Sequence, residues 1–271
     1  MATQPVRPAA VAGLFYPADP HTLSAQLHSL LAQTERPSAL QPPKALIVPH
    51  AGYMYSGPIA ASAYAMLEAL RDIIRRVVLV GPSHRMAFAG AALPGCAAFA
   101  TPLGNVEIDS DAVFTLAQRP GVVFDDSAHA QEHALEVQLP FLQTVLEHFR
   151  ILPLTLGMIE AQQVAELLEA VWGGPETLIV VSSDLSHYHP YAQAQADDMD
   201  AIGLILEGEG PLNHEQACGA TAINALCITA RRHGLLPRLL DLRNSGDTAG
   251  DRSRVVGYAA LSFSPGQRRT H

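Results

Sequence analysis

Two histidines in this sequence close short aliphatic runs beside turn-forming residues. His50 stands in Ala45-Leu-Ile-Val-Pro-His50-Ala-Gly-Tyr53, and His84 in Val77-Val-Leu-Val-Gly-Pro-Ser-His84. Such a run bounded by Pro or Gly reads as a buried strand ending in a loop. In open α/β sheets, ligands bind outside the carboxyl ends of the strands. Two imidazoles delivered to that edge by neighbouring strands can share one metal ion. Taken singly, each histidine also reads as a turn residue bonded to backbone. The pair at equivalent strand ends is what points to a metal.

Two ligands leave a site incomplete. A non-haem iron centre adds one carboxylate, and a catalytic zinc centre adds a third protein ligand and a water. Asp184 and His187 follow the strand-like stretch 177–181 and share the same edge. Glu132, His133 and Glu136 lie close together, and positions 133 and 136 share a face if the stretch is helical. Cys218 opens an apolar helical stretch, where a helix N-terminus favours a thiolate. Each has an ordinary reading too: acids at a helix start answer the dipole, and a small cysteine packs well. Spacing does not choose among them.

The elements that must position these residues alternate along the chain. Helical spacing covers 20–33, 110–118, 161–172, 192–206 and 218–232. A further helix is expected over 58–70, with Pro58 in its first turn. Another covers 133–147, kinked or split at Pro140. Strands are expected at 45–48, 77–80, 106–108, 122–124, 151–156, 177–181, 239–242 and 255–263. This alternation predicts a single α/β domain over 1–264, with a mixed central sheet flanked by helices. Residues 265–271 are expected to be a frayed tail.

The 271 residues suffice for one substantial core, and a composition of 48% hydrophobic and 16% charged residues is that of a globular protein. A net charge of −9 argues against nucleic acid or an anionic membrane surface as the main partner. No apolar run approaches a membrane span, and the N-terminus shows no signal-peptide pattern. Three scattered cysteines make no disulfide framework, so a cytoplasmic location is expected.

Several segments, in order, carry a resemblance. They are Arg7-Pro-Ala-Ala-Val-Ala-Gly-Leu-Phe-Tyr-Pro17, Pro49-His-Ala-Gly-Tyr-Met-Tyr-Ser-Gly57, Gly81-Pro-Ser-His84, Glu132-His-Ala-Leu-Glu-Val-Gln-Leu-Pro-Phe-Leu142, Ser182-Ser-Asp-Leu-Ser-His-Tyr188, Asn244-Ser-Gly-Asp247 and Val256-Gly-Tyr-Ala259. Together they resemble the Memo family across nearly the whole chain. The resemblance implies a fold similar to the LigB-like, class III extradiol dioxygenases, which hold non-haem Fe(II). It implies a metal on His50, His84 and Cys218, with Asp184 and His187 as polar pocket residues. It also implies company with a small AMMECR-type protein and a radical-SAM protein.

The reading that follows is an Fe(II)-dependent dioxygenase acting with O2 on a small enolic or aromatic molecule. His187 is expected as the acid/base group and Asp184 as its orienting partner. His133 is expected to bond substrate or dioxygen, and Tyr53 and Glu132 to contact substrate. A thiolate in place of a carboxylate favours copper or zinc as well. The alternatives are therefore a ligand- or peptide-binding protein, a holder of redox-active iron or copper, and a zinc hydrolase.

Overall fold

The computed structural model describes residues 5–34, 41–208 and 210–266. Its strands are β1 (Val6–Arg7), β2 (Ala45–Val48), β3 (Arg76–Pro82), β4 (Ala91–Leu93), β5 (Ala98–Thr101), β6 (Gly104–Glu107), β7 (Val122–Phe124), β8 (Arg150–Leu156), β9 (Thr177–Ser182), β10 (His187–His189), β11 (Leu235–Asn244) and β12 (Val255–Pro265). The helices are α1 (Pro20–Ala32), α2 (Tyr53–Tyr64), α3 (Ser110–Ala117), α4 (Asp126–Ala130), α5 (Leu139–Val145), α6 (Ala161–Ala170), α7 (Tyr191–Glu207), α8 (Ala220–Arg232) and α9 (Ser245–Thr248).

The main sheet runs β10-β12-β2-β9-β3-β8-β4-β7, with β11 also on β12. Its centre, β2-β9-β3-β8, is parallel; β12 joins β2 and β4 joins β8 in the antiparallel sense. The sheet is therefore mixed, as the alternation predicts. Successive side chains of a strand point to opposite faces, and here both faces are buried. Ala45 and Ile47 join the layer of α3, α6, α7 and α8, whereas Leu46 and Val48 join that of α1, α2 and α5. Burial on both faces explains why these strands read as unbroken aliphatic runs. Strands β1, β5 and β6 form a small separate sheet. No helix among the described residues is long and apolar enough to cross a membrane.

Four expectations change. The second helix starts at Tyr53, and Pro58 lies inside it. Proline has no N–H for the Met54 carbonyl, so the helix runs on past Pro58 without that one bond. Pro140 opens α5 instead of splitting a longer helix, and residues 131–135 form turns. β9 stands between β2 and β3, so the two histidine-bearing strands are next-nearest neighbours. Pro265 pairs with Leu235 inside β12, so the strand passes the expected boundary at 264; residues 267–271 of the expected tail lie outside the described residues.

A buried ion pair ties the N-terminal segment to the turns around 132–136. The Arg7 guanidinium donates to the His129 carbonyl, the Glu132 carbonyl and Glu136 Oε2, each at 2.7 Å. Glu136 in turn accepts from Ala10 N, Val11 N and the Tyr16 hydroxyl at 2.7–3.0 Å. Removing one partner of such a pair strands the other charge and costs roughly 3–5 kcal/mol. Arg7→Met is expected to lower stability by about that amount in urea denaturation. A loss below about 1 kcal/mol would show that the pair does not anchor this region.

Candidate metal centre

The carboxyl ends of β2, β9 and β3 deliver the site. His50 follows β2, Asp184 and His187 follow β9, and His84 follows β3. Imidazole rings of His50, His84 and His133 gather there, with centroids 5.1 Å (50–84), 5.3 Å (50–133) and 4.7 Å (84–133) apart. One ring nitrogen from each lies within 4.8 Å of the others, a grouping that can hold a metal ion. The third histidine comes from the turn 131–135, which Arg7 secures.

Hydrogen bonds fix which nitrogen each ring presents. Ser182 Oγ gives its one proton to the Ala134 carbonyl at 2.6 Å. It must then accept from Gln138 Nε2 and from His50 Nδ1, both at 2.9 Å. His50 therefore carries its proton on Nδ1, and its Nε2 lone pair faces the Cys218 thiol at 3.2 Å. His84 is held twice by Glu132, through its backbone N at 2.6 Å and Nδ1 at 2.9 Å, which leaves Nε2 available. Ligating histidines are commonly oriented in this way by an acceptor on the other nitrogen. His133 Nδ1 is buried with no hydrogen-bond partner. It lies 3.3 Å from Glu132 Oε1 but is not aligned to bond it. A buried imidazole nitrogen left over in this way fits a metal site.

Burial, aided by the charge that neighbouring imidazoles would carry, pushes His50 down to about 3 and His133 down to about 4. Both rings are therefore neutral at pH 7, as ligands must be. Burial alone would raise the Glu132 carboxyl, but bonds from the His84 ring and backbone and from Ala134 N hold it down at about 2. Burial pushes Asp184 upward, opposed by the bond that its Oδ1 accepts from His50 N at 2.7 Å.

Cys218 Sγ sits 3.2 Å from His50 Nε2 and accepts from Asp184 N at 3.3 Å. Burial and nearby Asp184 push its thiol up to about 12. The Cys-Gly order has a steric cause: a Cβ at position 219 would lie 2.7 Å from Ser183 Cβ and 2.8 Å from the Ser182 carbonyl. Only glycine lets the Cys218 loop close onto the end of β9.

Above the imidazoles opens a cleft of about 680 Å³. His50, His84, His133, Asp184 and His187 line it. His187 Nδ1 donates to the Leu185 carbonyl at 2.8 Å, which leaves Nε2 as its basic nitrogen. Tyr53 and Glu132, expected to contact substrate, do not line it. Tyr53 is buried with its hydroxyl on the Val137 carbonyl at 2.6 Å, because helix α2 begins there. Glu132 is buried and committed to His84 and Ala134. Glu136, a candidate third ligand, is paired with Arg7 instead. Phe15, Tyr55, Tyr188 and Tyr258 supply the aromatic lining. Position 55 follows from the true helix start, but nothing in the local sequence marks Ser182 and Gln138 as supports of His50.

Because His50 and His133 titrate lower folded than unfolded, the unfolded chain takes up protons below pH 6.5 that the folded chain refuses. Stability of the metal-free protein is therefore complete above about pH 6.5 and falls as pH drops towards 4. His133→Gln is expected to remove roughly 2 kcal/mol of the loss between pH 7 and pH 5, read from denaturant midpoints. An unchanged loss would contradict this assignment.

Comparison with known proteins gives the family. The family model described as Memo-like protein matches residues 7–262. A MEMO1 family protein of Methanopyrus kandleri is 38% identical, covering 96% of this chain and 99% of that one. One from Methanothermobacter thermautotrophicus is 36% identical over 95% of this chain and 100% of its own length. One from Aquifex aeolicus is 36% identical over 95% and 99% respectively. With the family model and these relatives matching nearly end to end, the chain belongs to the Memo family.

Proposed function

We propose that this protein is a non-haem metal-dependent oxidoreductase, holding Fe(II) and acting with O2 on a small enolic or aromatic molecule. The observation that carries this reading is the three imidazoles at the floor of an open cleft, one with a buried nitrogen that the protein leaves unpaired. His50 and His84 would hold the metal, with His133 or Cys218 completing the set. Bound Fe(II) supplies open coordination positions and electron density for dioxygen.

The chain's own residues do the rest. The Ser182–Gln138 and Glu132 supports fix two rings before any ligand arrives. His187, in the cleft wall, takes the proton of a substrate hydroxyl on Nε2. Asp184 keeps the His50 backbone in place and sets the polarity between the rings and His187. Phe15, Tyr55 and Tyr258 bound a space suited to a flat ring.

The Cys218 sulfur beside His50 favours a second reading, a protein that holds copper or zinc, since thiolates are soft ligands. Metal analysis of the purified protein separates the two. Wild type is expected to hold one equivalent of iron after anaerobic loading, and His84→Ala less than about a tenth of that. Glu132→Gln is expected to weaken metal affinity by about 10–100-fold. Cys218→Ser that keeps its iron selects the three-histidine set, whereas loss of iron selects the set with sulfur. Iron content unchanged in both His50→Ala and His84→Ala would overturn the site.

A further inference from the structure

The cleft carries two exposed arginines, Arg85 and Arg254, in a chain of net charge −9. Several other arginines lie in ion pairs, among them Arg7, Arg76 and Arg243, whereas Arg75 and Arg231 bond backbone carbonyls. Arg85 and Arg254 have no carboxylate partner among the described residues. Two acids share the cleft: Asp184, which accepts from His50 N, and exposed Asp251, which accepts from Ser253 N at 2.5 Å and keeps its negative charge. Two guanidinium groups, neither in an ion pair with an acid, therefore stand at the opening.

One of them is also held in place. The Arg254 guanidinium lies over the Tyr188 ring, 5.1 Å from its centroid. Stacking on an aromatic face orients the planar fork. Tyr188 is the one non-glycine residue among those described with positive φ, at 62°. A bulky residue there is strained, and such strain persists where the surroundings impose it, often at ligand sites. Here it keeps a 62% exposed ring on the cleft wall under a cation, immediately after His187.

We propose that the cleft takes a small molecule bearing a carboxylate, which Arg85 and Arg254 bind at the opening while the other end reaches the histidine floor. This deepens the metal-centre reading and rests on it only for the far end of the ligand. Guanidinium forks match carboxylates and phosphates alike, so the test includes both. Salicylate, its uncharged analogue salicylamide, and phenyl phosphate are titrated calorimetrically into wild type and the R85Q/R254Q double variant, each metal-free and anaerobically loaded with Fe(II).

Wild type is expected to bind salicylate at least roughly tenfold more tightly than salicylamide, with the difference shrinking as salt rises. The double variant is expected to lose that preference while keeping salicylamide affinity within about twofold, because both arginines are exposed and unpaired. No binding of salicylate, equal affinity for the two, or a preference that survives the double substitution would overturn the proposal. Phenyl phosphate binding more tightly than salicylate, and failing in the double variant, would overturn the carboxylate as the ligand. A wild type that takes up no metal, yet shows the arginine-dependent preference metal-free, would sink the metal reading and leave this one standing.

Discussion

The site depends on a single buried carboxylate. Glu132 accepts the backbone and ring N–H groups of His84 and the backbone N–H of Ala134. With one side chain it fixes a histidine from the end of β3 and the turn that carries His133. It keeps its charge despite burial because these donors outweigh the cost of leaving water. Its own backbone carbonyl is held by Arg7, so the N-terminal segment reaches the centre through a chain of buried polar bonds. Each link leaves an expensive orphan if cut, which makes the arrangement rigid without a large hydrophobic contribution at the site itself.

The same low polarity that makes those bonds strong also sets the chemistry. His50 and His133 cannot both accept protons within 5.3 Å of each other in a buried site. They are kept as neutral ligands, and in His50 the hydrogen bond from Nδ1 to Ser182 Oγ turns the Nε2 lone pair inward. The parallel centre of the sheet makes this possible: β9 between β2 and β3 places Ser182 and Asp184 where they touch both the His50 ring and its backbone. Two histidine strands paired directly would leave no room for those supports.

Much of this is legible in the sequence. The aliphatic runs at β2, β3 and β9 announce buried parallel strands, and their ends mark His50, His84 and Asp184. The order of motifs identifies the family. What stays hidden depends on contacts distant in sequence. Tyr53 resembles a cleft residue because it follows His50, yet the helix starts there and turns its ring into the core. Glu132 has the right chemistry for substrate, but burial beside His84 makes it a support. Glu136 lies three residues from His133, yet turns in place of the expected helix send one to Arg7 and the other to the imidazole cluster. Ser182 and Gln138 act through tertiary hydrogen bonds that no local pattern encodes.

The proposed function requires the imidazole cluster to hold a redox-active metal with positions open to the cleft. Electron paramagnetic resonance of anaerobically Fe(II)-loaded protein after addition of nitric oxide tests it most directly. A high-spin iron–nitrosyl signal at near-stoichiometric intensity is expected, absent in His84→Ala. A folded, iron-exposed wild type that gives no such signal would contradict it.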